Sequence, residues 1–238
     1  MIKSVLLFYR KDCGYSKKLI YFLRKKTKKL YLVENNKNKK IINFRKLKKK
    51  KYSYIFCFRS FYILKKDLIK KAKIAAINFH PGPPNYKGIG CLNYAIYEES
   101  KYYGTTCHLI NERIDSGKII DVKKFKLSKK YSVDDLQKKT YTIMLKQAKQ
   151  IIKNLLANKK YLERKIIENK NIKWIKRIKN RKQLNKFYEI KTTDKKINID
   201  KKIKSTYTNL YKPYIKLHGH LFEYKKNKLT NQNLMGEE

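Results

Sequence analysis

The sequence predicts an α/β fold: a doubly wound, mostly parallel, Rossmann-like sheet with a small C-terminal α+β appendage. Three observations carry this expectation. Compact apolar runs of the kind used by buried parallel strands recur along the first half of the chain, and segments with helical apolar spacing alternate with them. A chain of 238 residues, 42% hydrophobic, is also long enough for one substantial core and a small appended unit.

Residues 5–9 form the first apolar run, and residues 16–25 follow with Leu19, Phe22 and Leu23 at helical spacing behind Ser16 as a cap. A strand is expected at 30–33, a weak helical pattern across 37–51 around Ile41, Ile42, Phe44 and Leu47, and a strand at 52–58. A short helix at 64–73 and a strand at 74–79 complete this half. After a Pro/Gly loop, residues 91–101 read as a helix ended by Gly104, and 105–111 and 118–127 as two further strands. The longest helix starts at a capping box, Ser132 with Asp135, and runs along the face Leu136, Thr140, Ile143, Gln147, Ile151 and Leu155 to about Asn158. The expected units are a main domain over 1–157, a basic connector over 158–196, and a small C-terminal unit over 197–238. That last unit holds a helix at 203–210, a hairpin turning near Gly219, and a loose tail over the last ten residues.

The chain carries 62 Lys plus Arg against 18 Asp plus Glu, a net charge of +44. Such a field suits nucleic acid, anionic membrane or phosphorylated metabolites. The excess is nearly all lysine and accompanies abundant Ile, Asn and Tyr, a bias that an AT-rich genome also produces, so charge alone assigns no partner. Cys13, Cys57, Cys91 and Cys107 are scattered, without a CxxC pair or zinc-ligand spacing, which fits a reducing, cytoplasmic setting. The opening apolar run is broken by Arg10 and Lys11, too short for a signal core or a membrane span.

The chemistry concentrates in NFHPGPPNYKGIG, residues 78–90. Asn78 and His80 stand two apart at the carboxyl end of an expected strand, where open α/β sheets bind ligands, and the two-residue period aims both at one face. Prolines and glycines make the following loop rigid and able to approach a ligand closely. An amide donor beside an imidazole suits a carbonyl whose oxygen becomes anionic. Asp115, in the loop ERIDSG, supplies a carboxylate to favour the imidazolium if its strand adjoins. A histidine at a strand end is often structural, and Asp115 can equally make an Asx turn.

The stretch from Ala76 to Ile120 resembles the catalytic core of the 10-formyltetrahydrofolate-dependent formyltransferases. The matching positions are Asn78, His80, Pro81, Tyr86, Gly88, Gly104, Thr106, His108, Asp115 and Gly117, and the likeness extends to residues 54–69. The resemblance implies an enzyme with 10-formyltetrahydrofolate as co-substrate and no metal. It implies Asn78, His80 and Asp115 as the catalytic set, and Arg59, Ser60, Ile63, Leu64, Ile114 and Gly117 as the folate-binding residues. It implies that Cys13, Tyr86, Gly88 and His108 face the acceptor, His108 alternatively serving the core.

Two rival motifs are weaker. CGYS at 13–16 mimics a monothiol glutaredoxin, but the cis-proline strand that fold requires has no counterpart, since the only prolines within about a hundred residues belong to the NFHPGPP loop. His218 and His220 form an HxH without further ligands nearby. The region after the core is too short for the β-barrel of methionyl-tRNA formyltransferases and is more similar to the truncated ends of sugar N-formyltransferases, where such elements complete an acceptor site or a homodimer interface. The expected acceptor is therefore a small-molecule amine on a sugar nucleotide. Initiator tRNA is the alternative acceptor, and a basic nucleic-acid-binding protein on this fold the non-enzymatic one.

Overall fold

The computed structural model describes residues 3–35, 44–158 and 160–226. Its central sheet is built from β1 (Ser4–Arg10), β2 (Lys29–Asn35), β3 (Tyr52–Phe58), β4 (Ala72–His80), β5 (Tyr102–Leu109) and β6 (Ile119–Lys126), in the order β2-β1-β3-β4-β5-β6. The pairings among the first four are parallel, whereas β4–β5 and β5–β6 are antiparallel. The fold is thus the expected α/β, mostly parallel sheet.

All seven residues of β3 are buried, which is why its sequence, YSYIFCF, shows no polar alternation. One sheet face carries Val5, Leu7, Tyr54, Phe56 and Ile77 against α1 (Gly14–Lys26) and α5 (Val133–Ala157). Met144, Ala148, Ile151 and Leu155 project from α5 into that core, the buried Met, Ile and Leu side chains contributing roughly 1.5–3 kcal/mol each. The other face carries Leu6, Phe8, Ile55 and Cys57 against α2 (Phe44–Lys48) and α3 (Lys66–Ile69). A separate apolar cluster joins Tyr86, α4 (Cys91–Tyr97), Tyr103, Leu136 and Leu184 of α7 (Arg181–Phe187).

The capping box forms as expected: Ser132 accepts from the Asp135 N–H at 3.1 Å while Asp135 accepts from the Ser132 N–H at 3.1 Å. Several local expectations are corrected. Cys13, not Ser16, occupies the N-cap of α1, and Ser16 is buried within the helix. The helix expected at 64–73 closes after one turn because Ala72 onward joins β4. Gly104 does not end a helix; it lies in β5 opposite Lys124. The helix expected at 203–210 is α8 (Lys196–Thr206). The hairpin is β7 (Tyr214–Leu217) and β8 (His220–Glu223), turning at Gly219 with φ +82°. Part of the expected 37–51 helix and the C-terminal tail lie outside the described residues. Among the described residues no helix is long and apolar enough to cross a membrane.

The segment expected as a surface connector is structured. It carries α6 (Tyr161–Glu168) and α7, and between them it runs along the Pro/Gly loop: Ile175 N–H donates to Pro84 at 3.0 Å, Lys179 N–H to Lys87 at 3.1 Å, and Ile89 N–H to Lys179 at 2.9 Å. Lysine-rich composition concealed this docking because backbone bonds and a few isolated side chains, Trp174 and Leu184 among them, make it rather than a periodic apolar face.

Candidate active site

The antiparallel joining of β5 to β4 sets Asn78 opposite His108 and His80 opposite Thr106. Side chains directly opposite share a face, so four polar residues from two strands gather at the carboxyl end of β4. Asn78 Nδ2 lies 3.1 Å from His108 Nε2, and His108 Nδ1 lies 2.8 Å from the Leu109 carbonyl. A nitrogen facing a carbonyl must carry the proton. His108 Nε2 is then free to receive the Asn78 amide.

The loop after β4 is held by side chains beneath it. The Thr106 hydroxyl donates to the Gly82 carbonyl at 2.7 Å and the Tyr103 hydroxyl to the Pro81 carbonyl at 2.8 Å. Gly82 passes so close to the histidine that a Cβ there would sit 2.7 Å from His80 Nε2. Gly88 has φ +91°, and a Cβ on it would meet the Lys179 carbonyl at 2.2 Å. Its N–H donates to Asp115 Oδ2 at 3.1 Å.

Asp115 bridges the two imidazoles: Oδ2 lies 3.4 Å from His80 Nδ1 and Oδ1 3.5 Å from His108 Nε2. It adopts φ +44°, a left-handed conformation that aspartate tolerates better than most residues. Burial alone opposes a charge on His80, but Asp115, with Cys91 and the Tyr86 carbonyl, outweighs it and lifts the imidazole to about 9. Burial likewise pushes Asp115 up, and the two histidines with the Gly88 N–H overcome it and hold the carboxyl at about 2. The pair is therefore an imidazolium and a carboxylate at neutral pH.

One expected detail changes. His80 Nε2 points at the Tyr86 carbonyl, 2.8 Å away, with Cys91 Sγ at 3.7 Å, so both ring nitrogens face protein groups. Asn78 is half-buried, and among the described residues its amide nitrogen has the His108 ring as its hydrogen-bond partner. The second N–H of that amide is the donor left for a ligand.

The other expected site residues divide into groups. Tyr86 contributes its carbonyl, while its hydroxyl is taken by Glu98 at 2.7 Å and by Ser100. Cys13 and Arg59 meet each other: Arg59 Nη1 donates to Cys13 Sγ at 2.9 Å, and its guanidinium lies 3.7 Å from the Tyr141 ring centroid, on the α1 and α5 side. Ser60 accepts the Tyr62 N–H and hydrogen-bonds Asn35, joining the ends of β2 and β3. Leu64 is buried among Leu6, Phe8 and Ile55. Ile63 and Ile114, with Phe61, are instead exposed apolar side chains on two loops tied by the Lys66–Glu112 ion pair at 3.2 Å. Exposed apolar surface of this kind is found at ligand-binding faces. A cavity of 210 Å³ behind the Pro/Gly loop shares only Tyr86 and Cys91 with the surroundings of His80. It is smaller than most ligand pockets, and the His80–Asp115–His108 cluster lies outside it, at the strand ends.

Sequence reasoning missed Trp174. Its indole N–H donates to the Gly117 carbonyl at 2.9 Å, and its ring stands edge-on to His108 and His80 with centroids 5.0 and 5.7 Å away. The available signal was its being the one tryptophan of the chain, in a stretch otherwise rich in lysine.

Known proteins resemble this chain in sequence and in fold. Residues 15–152, more than half of the chain, match the family described as formyl transferase. The bifunctional polymyxin resistance protein ArnA of Wigglesworthia glossinidia brevipalpis is 31% identical over 130 residues, covering 52% of this chain and 20% of its own. The chain spans only a fifth to a third of the length of the curated relatives it matches. In fold, it is similar to a 4-N formyltransferase from Francisella tularensis, with TM-score 0.70, 16% identity, and 94% of this chain and 99% of that one covered. It is also similar to the N-formyltransferase of Helicobacter canadensis in complex with folinic acid and dTDP-3-aminofucose, with TM-score 0.67, 20% identity, and 92% and 85% covered. With the strand-end cluster and the sheet order alongside these matches, the chain belongs to the formyl transferase family.

Proposed function

We propose that the protein moves a formyl group from 10-formyltetrahydrofolate to a primary amine of an amino-sugar nucleotide. The observation that carries the reading is Asp115 set between His80 and His108, with the Asn78 amide beside them. The acceptor nitrogen attacks the formyl carbon, and the carbonyl oxygen becomes an oxyanion. The second N–H of Asn78 donates to that oxygen, and the buried charge of His80 stabilises it through the low-dielectric surroundings. Asp115 sustains that charge and relays the proton from the attacking amine toward the folate nitrogen, directly or through water, as the carbon–nitrogen bond to folate breaks. Phe61, Ile63 and Ile114 offer the apolar wall for the pterin.

Support for a sugar nucleotide comes from the C-terminal part. It consists of α8 and a two-stranded hairpin, and the fold likeness to the Francisella and Helicobacter enzymes covers 94% and 92% of this chain. The deciding experiment incubates the protein and 10-formyltetrahydrofolate with a panel of amino-sugar nucleotides and with charged initiator tRNA, following tetrahydrofolate release. Turnover is expected with a sugar nucleotide. Turnover with tRNA alone, steeply weakened by salt, overturns the acceptor. Formyl transfer surviving unchanged in the Asn78→Ala, His80→Ala double variant overturns the site.

A further inference from the structure

The catalytic cluster is assembled from separate pieces: His80 ends β4, His108 belongs to β5, and Asp115 and Gly117 lie in the following loop. Trp174, distant in sequence, touches all three pieces through its two imidazole contacts and its bond to Gly117. Its own backbone neighbourhood is fixed, because the next residue, Ile175, bonds to Pro84 and Lys179 bonds to Lys87. An indole held at both its ring N–H and its backbone is a rigid wall against the histidines.

We infer that Trp174 is a positioning residue, which keeps the His80–Asp115–His108 cluster in register and excludes water from its imidazole faces. The inference rests on the formyl-transfer reading of that cluster for its kinetic consequence, but not for its physical one. Excluding water strengthens the attraction of Asp115 for His80. The Gly117 bond fixes the loop that carries Asp115, two residues away. The groups facing His80 are Asp115, Cys91 and the Tyr86 carbonyl; those facing His108 are Asp115, Asn78 and the Leu109 carbonyl. Trp174 meets both rings edge to face, a favoured aromatic geometry.

Because Trp174 is the only tryptophan, its fluorescence reports on this site alone. A protonated imidazole in contact quenches indole emission more than a neutral one. Emission of the ligand-free wild-type protein should therefore rise through a single transition as the pH is raised from about 6 to about 10, a window that brackets the raised value of about 9 for His80, and His80→Asn should abolish the transition. A flat titration, or one unchanged in His80→Asn, overturns the proposal. In the kinetic arm, Trp174→Ala should lower kcat about 100-fold, the scale of a 1 Å misplacement, and leave the folate KM within about threefold. It should also move the alkaline limb of the kcat profile toward the ordinary histidine value of about 6.5. Trp174→Phe, which keeps a ring, should recover much of kcat. Wild-type kcat and an unshifted profile in Trp174→Ala overturn the proposal as well. Should no acceptor support turnover, the fluorescence arm decides this inference, and the missing turnover counts only against the proposed function.

Discussion

His80 Nδ1 lies 3.4 Å from Asp115 Oδ2, and both side chains are more than nine-tenths buried. A charged pair so enclosed is costly unless further hydrogen bonds complete it. Here the Tyr86 carbonyl and the Gly88 N–H do so.

Replacing Asp115 with Asn keeps the shape and removes the charge. The expected result is a loss in kcat of about 10²- to 10⁴-fold, the range for a positioned acid–base group, with the KM for 10-formyltetrahydrofolate changed little. Steady-state tetrahydrofolate release checks this, and a loss under about threefold would leave the carboxylate without the role assigned to it.

The same pair couples stability to pH. His80 rises from its ordinary 6.5 to about 9, so its contribution is complete below 6.5 and disappears as pH climbs through 9. Asp115 falls from 3.8 to about 2, so its contribution is present above 3.8 and disappears as pH drops through 2. One shared interaction of about 3 kcal/mol is at stake. Melting curves should show the wild type losing stability between neutral pH and pH 10, and Asp115→Asn losing distinctly less over that interval.

Gly88 joins the loop to the 174–179 segment and gives its N–H to Asp115. Gly88→Ala places a side chain on a φ of +91° and against the Lys179 carbonyl. A destabilisation of about 1–3 kcal/mol is expected, seen as a drop in Tm of roughly 2–4 °C per kcal/mol, together with reduced kcat. An unchanged Tm would show that the segment yields without cost.

Lys66 and Glu112 are both exposed, so their pairing adds little to stability. Its expected effect is on the spacing of the two loops that bear Ile63 and Ile114. Glu112→Lys should raise the folate KM about two- to fivefold, equivalent to under about 1 kcal/mol, and the charge swap with Lys66→Glu should restore it. A double-mutant cycle showing no coupling would remove the pair from folate binding.

Much of this arrangement was legible along the chain. The fully apolar run YSYIFCF, the Ser132–Asp135 box and the alternation of strands with helices are short-range signals, and each appeared where periodicity placed it. Asn78 and His80 were legible too, because a two-residue period puts them on one face whatever surrounds the strand. Gly104 was misread because a glycine inside a strand and one after a helix look alike without the neighbouring Lys123 and Lys124 backbone.

Local pattern thus determined the class of fold, the strand that carries Asn78 and His80 and the loop that follows it. The tertiary structure decided what those residues touch. The antiparallel register of β5 brought His108 to Asn78, a loop at a positive φ brought Asp115 between two histidines, and the docked segment brought Trp174 over them. Apart from the seven positions between His108 and Asp115, these contacts span 30 to 94 positions of sequence, and their formation depends on chain topology and the cost of closing long loops. No period within a strand or helix encodes them.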